Sequence, residues 1–250
     1  MSGNFIFIDT NPISNMILSV GLTSADYVNG LNKLPENIIL LNNDEESANG
    51  YNSHSKFNLL SGEGDIRRYL LKNPNASKKF IDYFNEDSLN NLTPYEIAEL
   101  LYLAHMGTPM GRPFSSKLLN RYIYLSFPNE MNRTYYRRFS DFNHILDVGV
   151  KRKLREVHNA LRVFLRPLVI KDIENSDLLD LVTRANDGLF ISFEDIKERS
   201  RIYHIPLIIL DNPDMASIVL KTDTVTESTK KVGDLQYNMR TSTWNIEWTK

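Results

Sequence analysis

The sequence predicts an α+β fold, with a helical middle and a small sheet built from N-terminal and C-terminal strands. Three observations predict it. Short apolar runs of strand character lie towards both ends of the chain, whereas helical periodicity with capping signals dominates from Asp65 to about Asp187. The 250 residues include 42% hydrophobic side chains, so a sizeable core forms without staples. The segments are 1–41, an N-terminal β/α piece; 42–64, a polar linker; 65–187, a basic helical region; and 188–250, a C-terminal α/β piece. Together they make one composite domain.

Asn4 to Ile8 reads as a strand, closed by the turn residues Asp9-Thr10-Asn11-Pro12. Helical stretches at about 12–20 and 24–33 follow, then a strand from Asn37 to Leu41. The run Asn42 to Gly50 is polar and turn-rich, which makes it the linker. The clearest helix start is Thr93-Pro94-Tyr95-Glu96. Thr93 and Glu96 can satisfy each other's backbone N–H groups, Pro94 loses no needed donor, and Gly107 is placed to stop the helix. Further helices are expected from about Ser115 to Leu125, over 134–146 and over 149–165. In the last third, Leu189 to Ser192 reads as a strand and Ser192 to Asp195 as a helix start. Ile205 to Leu210, Ala216 to Leu220 and Thr241 to Trp248 read as strands, and Thr222 to Asp234 as a loop.

Composition excludes several classes of function. With no Cys there are no disulfides, thiolate metal sites or cysteine nucleophiles. The aliphatic runs fall far short of the roughly 18 residues of a membrane span, and the opening Met-Ser-Gly-Asn lacks the basic start of a secretory signal. The expectation is a cytoplasmic protein without a membrane partner. The net charge of -2 conceals an asymmetry: residues 1–111 carry -6, residues 112–171 carry +9 and residues 172–250 carry -5. Such a basic middle either packs against the acidic ends or attracts an anionic partner.

On a helical wheel from Val150, Leu154, Val157, Leu161, Phe164 and Leu165 make a core-facing stripe. Beside it Lys151, Arg155, Arg162 and Arg166 form a row of cations with no acidic i,i+4 partner among them, which favours an anion alongside. His158 falls at the rim of the stripe between Arg155 and Arg162, where neighbouring cations favour the neutral ring of a base. His105, at the end of the Thr93 helix, is the second candidate for proton transfer. After it, Gly107-Thr108-Pro109-Met110-Gly111-Arg112-Pro113 leads to Ser115, Ser116, Lys117 and Arg121. Glycines that permit close approach, hydroxyls and cations suit an anion, although the spacing is not that of a nucleotide-binding P-loop. Arg137 and Arg138 with Tyr135 and Tyr136 interleave cations and rings, the chemistry that grips phosphates and stacks bases.

Phe5-Ile6-Phe7-Ile8-Asp9-Thr10-Asn11 resembles the opening of the PIN-domain nucleases, in which a hydrophobic strand ends in a metal-binding Asp. The resemblance covers about seven residues. It implies Asp9 as a ligand of Mg²⁺ or Mn²⁺, with Glu99 in a second acidic position and Asp211 or Asp214 as later ones, and a phosphodiester as substrate. Three functional expectations result. The leading one is a cofactor-free protein that binds an anionic partner, either nucleic acid or a phosphorylated or carboxylated ligand, through its basic middle. The alternatives are a divalent-metal nuclease or phosphodiesterase using Asp9, and a structural or interaction protein whose basic middle is neutralised by its acidic ends.

Overall fold

The computed structural model describes residues 4–42, 45–161, 169–210 and 229–249. Most strands are apolar on alternate or on all positions, the short Gly50–Asn52 and Lys197–Arg199 being the polar exceptions. In the first half these are β1 (Phe5–Asn11), β2 (Met16–Val20), β3 (Asn37–Leu40), β4 (Gly50–Asn52), β5 (Phe57–Ser61) and β6 (Lys79–Asp82). The middle supplies β7 (Tyr122–Phe127) and β8 (Met131–Tyr136). The last third supplies β9 (Leu189–Ser192), β10 (Lys197–Arg199), β11 (Ile202–Leu210), β12 (Thr229–Asn238) and β13 (Thr243–Trp248). All join one antiparallel sheet in the order β13-β12-β11-β9-β1-β2-β8-β7-β6-β3-β5-β4, with β10 paired beside β9 on the same edge of β11. Because β1 pairs with β9, strands from both ends of the chain lie side by side.

The helices are α1 (Ser24–Gly30), α2 (Glu63–Leu71), α3 (Glu86–Asn90), α4 (Pro94–Met106), α5 (Ser140–Leu161) and α6 (Asn175–Arg184). Alternation along each strand sends its side chains to two faces. One face meets α1, α2, α5 and α6 in the main core, where Ile6, Ile8 and Ile17 of the sheet share one buried cluster with Ile145, Val150 and Leu154 of α5. The opposite face is covered by α3 and α4 over β5-β3-β6-β7-β8, through Leu89, Leu100 and Leu103 against Ile39, Ile81 and Ile123. Towards β11 the same face carries, among the described residues, a small cluster of Phe5, Phe7 and Val20 flanked by Phe190 and Ile208. Helix α1 crosses α5 at very close range, since a Cβ on Gly30 would lie 2.5 Å from the Ile145 Cα.

The expected helical middle with a small sheet is therefore corrected to a thirteen-stranded antiparallel sheet with six α-helices among the described residues, helix and strand each taking 33%. The physical reason lies in β6, β7 and β8. Tyr122 to Leu125 is buried on both faces, so β7 shows no period-2 alternation, and a short run apolar on every position cannot be told from a buried helix. The helix expected over Ser115–Leu125 is a turn followed by β7, and the pair expected over 134–146 and 149–165 is β8 followed by the single helix α5. The helix expected over 12–20 is a hairpin. Asn11 Oδ1 accepts from the Ser14 N–H at 3.1 Å and Asn15 turns the chain at φ 54°, so β2 returns along β1. The polar stretch 42–64 carries β4 and β5, and the helix start expected at Ser192 leads into β10. Ala216 to Leu220 lies outside the described residues.

The helix expected from Thr93 stands as α4. Thr93 and Glu96 form a reciprocal capping box, Pro94 opens the first turn, and Gly107 ends the helix in the left-handed conformation at φ 66°. The Glu96 carboxylate also meets the Lys117 ammonium at 2.7 Å. Burial opposes its ionisation, but Lys117 and the two Thr93 donors outweigh that and hold the carboxyl at about 2.

Candidate functional site

The cations of the basic middle divide according to whether an acid reaches them. Of the α5 row expected to lack acidic partners, Lys151 has them, and so does Arg152 beside the row. Lys151 Nζ lies 2.5 Å from the Asp147 carboxylate one turn earlier and is bound by Asp172 as well. Arg152 is bidentate to the buried Asp26, with Nε 2.9 Å from Oδ1 and Nη2 2.8 Å from Oδ2, and its Nη1 donates to Glu156 at 2.9 Å. Burial disfavours both charges, yet these carboxylates raise the Lys151 and Arg152 pKa values above their ordinary ranges. Burial, with the Arg152 charge beside it, lowers that of Lys153. Arg155 is exposed, and Arg162 and Arg166 lie outside the described residues.

Arg121 and Arg137 continue the β7–β8 ladder, the Arg137 N–H donating to the Arg121 carbonyl at 2.9 Å. Arg121 approaches Asp82 at 3.7 Å, and Arg137 donates to the Asn120 carbonyl at 3.0 Å while lying over the Phe114 ring. Arg138 is exposed on the turn into α5. Asp82 is buried at the end of β6 and accepts the backbone N–H groups of Arg121 and Tyr122 at 2.8 and 2.6 Å. Desolvation outweighs those bonds and pushes its carboxyl up to about 6. Sequence reasoning missed Asp82, although a lone Asp within the apolar run Phe80-Ile81-Asp82-Tyr83-Phe84 was its available signal.

The loop after α4 behaves differently. It roofs a cavity of about 460 Å³ whose floor is Leu92, Leu100, Leu103, Leu118 and Ile123 and whose rim holds Glu99, Arg112 and Ser115. Three candidates from two separate readings thus come together. The capped helix α4 positions Glu99, one turn on from Glu96. The loop is held by Asn120, a fully buried residue that sequence reasoning also missed, which accepts from the Ser115 N–H at 2.7 Å and donates to the Pro113 carbonyl at 3.2 Å. Arg133 donates to the Gly107 carbonyl at 3.0 Å, tying the loop's start to β8. Ser115 Oγ accepts from the Lys117 and Leu118 N–H groups, so its hydroxyl stabilises a turn rather than a helix start. Neither Arg112 nor Glu99 is ion-paired among the described residues. The result is a cavity of mixed polar and apolar lining that holds one uncommitted guanidinium and one uncommitted carboxylate.

The remaining candidates are dispersed. His158 is buried with Nδ1 2.8 Å from the Tyr203 hydroxyl, in the setting of a packing histidine, and His105 is exposed at the end of α4 outside the cavity lining. Tyr135 and Tyr136, expected as stacking platforms, are buried on opposite faces of β8, so neither offers a ring to solvent. Asp9 does not end its strand. It sits within β1 opposite Leu18, where burial raises its pKa, and among the described residues no group of three His, Asp or Glu could hold a metal ion. Asp211 and Asp214 lie outside the described residues, and Glu99 belongs to the loop cavity. No helix among the described residues is long and apolar enough to cross a membrane. Compared with known proteins, the chain matches no family model, no curated protein and no solved structure.

Proposed function

We propose that the protein binds a small amphiphilic anion in the cavity beneath the Gly107–Leu119 loop. The observation that carries this reading is the unpaired Arg112 guanidinium lining a cavity of about 460 Å³ that is part leucine and part polar, a size suited to a small molecule. Arg112 supplies a planar fork for a carboxylate or phosphate, Glu99 accepts from an amine or hydroxyl, and the leucine floor takes an apolar body. Glu96 and Lys117 neutralise each other, so Arg112 and Glu99 set the polarity of the site.

The placement of the other cations supports a small ligand over a polyanion. Arg155 lies on α5 against one face of the sheet, and Arg112 lies in a loop that covers the other face. Nucleic acid needs a continuous track of cations, and these two do not share a surface.

The test is calorimetric titration of the full chain with a panel of aliphatic and aromatic carboxylates, phosphomonoesters and apolar amino acids. At least one should bind, and Arg112→Ala should weaken it by about ten- to a hundredfold, the effect of one charge-assisted contact. Binding that Arg112→Ala leaves intact, or a panel with no binder, contradicts the reading. Retention of an oligonucleotide at low salt, lost steeply as salt rises, would replace it with the polyanion reading.

A further inference from the structure

We propose a second anion site, separate from the loop cavity and outside the basic middle, formed by Lys197, Arg199 and His204 on one face of the sheet and suited to a phosphate group. The register places these residues together. Lys197 and Arg199 are two apart on β10 and so share a face, and Lys197 lies directly opposite His204 on β11. They line a concavity of about 350 Å³ closed on one side by Pro206 and Ile208. This is the face that α3 and α4 cover further along the sheet.

Of the two acids that line this concavity, one is paired with a cation, Lys231, which lines it too, and the other bonds a neutral hydroxyl. Asp234 pairs with Lys231 at 2.8 Å, and Asp195 accepts from the Ser192 hydroxyl at 2.8 Å. Among the described residues Lys197, Arg199 and His204 enter no ion pair. Basic side chains directly opposite or two apart on one sheet face gain nothing from one another, and adjacent cations repel unless an anion lies between them. An ammonium, a guanidinium fork and an imidazole that line one hollow supply donors for the oxygens of a compact dianion. Asp195 is the one uncompensated acid at the rim, so it weakens the site and gives a signed test.

The experiment is a backbone amide NMR titration of the full chain with inorganic phosphate and with phenyl phosphate at constant ionic strength, acetate being the singly charged comparison. The expected result is saturable shifts centred on residues 195–208 and 231–234. Lys197→Ala and Arg199→Ala should each weaken binding about tenfold, Asp195→Asn should tighten it severalfold, and Arg112→Ala should leave it unchanged. Exposed positions on a sheet edge tolerate these changes, and unshifted amides in the main core confirm that each variant is folded. Shifts that never saturate, equal shifts with acetate, or a Lys197→Ala, Arg199→Ala double variant that binds phosphate as well as the parent would each overturn the proposal. Loss of binding in Arg112→Ala alone would assign the phosphate to the loop cavity instead.

Discussion

Helix α5 and the loop after α4 draw their cations from the same acid-poor stretch, and the fold treats them in opposite ways. On α5, Lys151 and Arg152 are engaged by Asp147 and Glu156 from their own helix and by Asp26 and Asp172 from the acidic ends of the chain. In the loop, Arg112 receives no acid although Glu99 stands at the same cavity. The difference teaches that a local excess of basic residues measures demand for anions, and that the fold decides how much of it is met internally. Where carboxylates from residues 1–111 and 172–250 reach in, the cations become part of the scaffold. Where they do not, a binding function remains open.

The largest expected effect breaks the scaffold side of this contrast. Asp26→Ala removes the bidentate partner of Arg152 and the acid of the capping box at Thr23, so unfolding in urea should show a loss of about 3–5 kcal/mol. A loss under 1 kcal/mol would mean that Arg152 finds water or another acid. Gly30→Ala probes the same helix pair through packing. Its Cβ has no room against the α5 backbone, and a cost of about 1–3 kcal/mol or more is expected.

A pH effect of similar size belongs to Asp82. Its carboxyl is raised to about 6 when folded, so between about pH 4 and 6 the native protein holds a proton that the unfolded chain has released. Stability from this group therefore falls as pH rises through that window, by about 3 kcal/mol for a shift of roughly two pKa units. Asp82→Asn keeps an oxygen for the Arg121 and Tyr122 N–H groups but removes the titration. Urea midpoints measured from pH 4 to 7 should show the variant gaining on the parent as pH rises, and parallel profiles would refute the assignment.

Smaller again is Thr93→Ala, which removes the cap of α4 at a cost of about 1 kcal/mol and should weaken ligand binding by loosening Glu99. Melting curves and the titration, read together, separate the two effects. Arg112→Ala should change stability by less than about 0.5 kcal/mol, because an exposed, unpaired side chain contributes little to the fold.

Features governed by near neighbours in sequence were legible. The Thr93–Glu96 box, Pro94 and Gly107 define α4 within fifteen residues, and the stripe of Val150, Leu154 and Val157 on α5 is buried as its periodicity requires. Legibility failed where distant strands decide. Tyr122 to Leu125 is apolar on every position and buried on both faces of β7, a burial set by elements far along the chain. Lys197-Glu198-Arg199 is too polar to read as a strand and becomes one only by pairing with β11. The site divides in the same way. Arg112, Ser115 and Glu99 were each visible, but not their shared cavity, and the pairing of Arg152 with Asp26 spans 126 residues. The Asp147–Lys151 contact, one helical turn apart, was the missed signal within reach.

The most direct test of the central contrast is a calorimetric comparison of Arg112→Ala and Arg155→Ala against the same small anionic ligand. The two side chains are both exposed arginines from the basic middle, placed over opposite faces of the sheet. A loss of about ten- to a hundredfold for Arg112→Ala with Arg155→Ala unchanged is the predicted result. Loss in Arg155→Ala with Arg112→Ala unchanged would contradict it and return the binding function to α5.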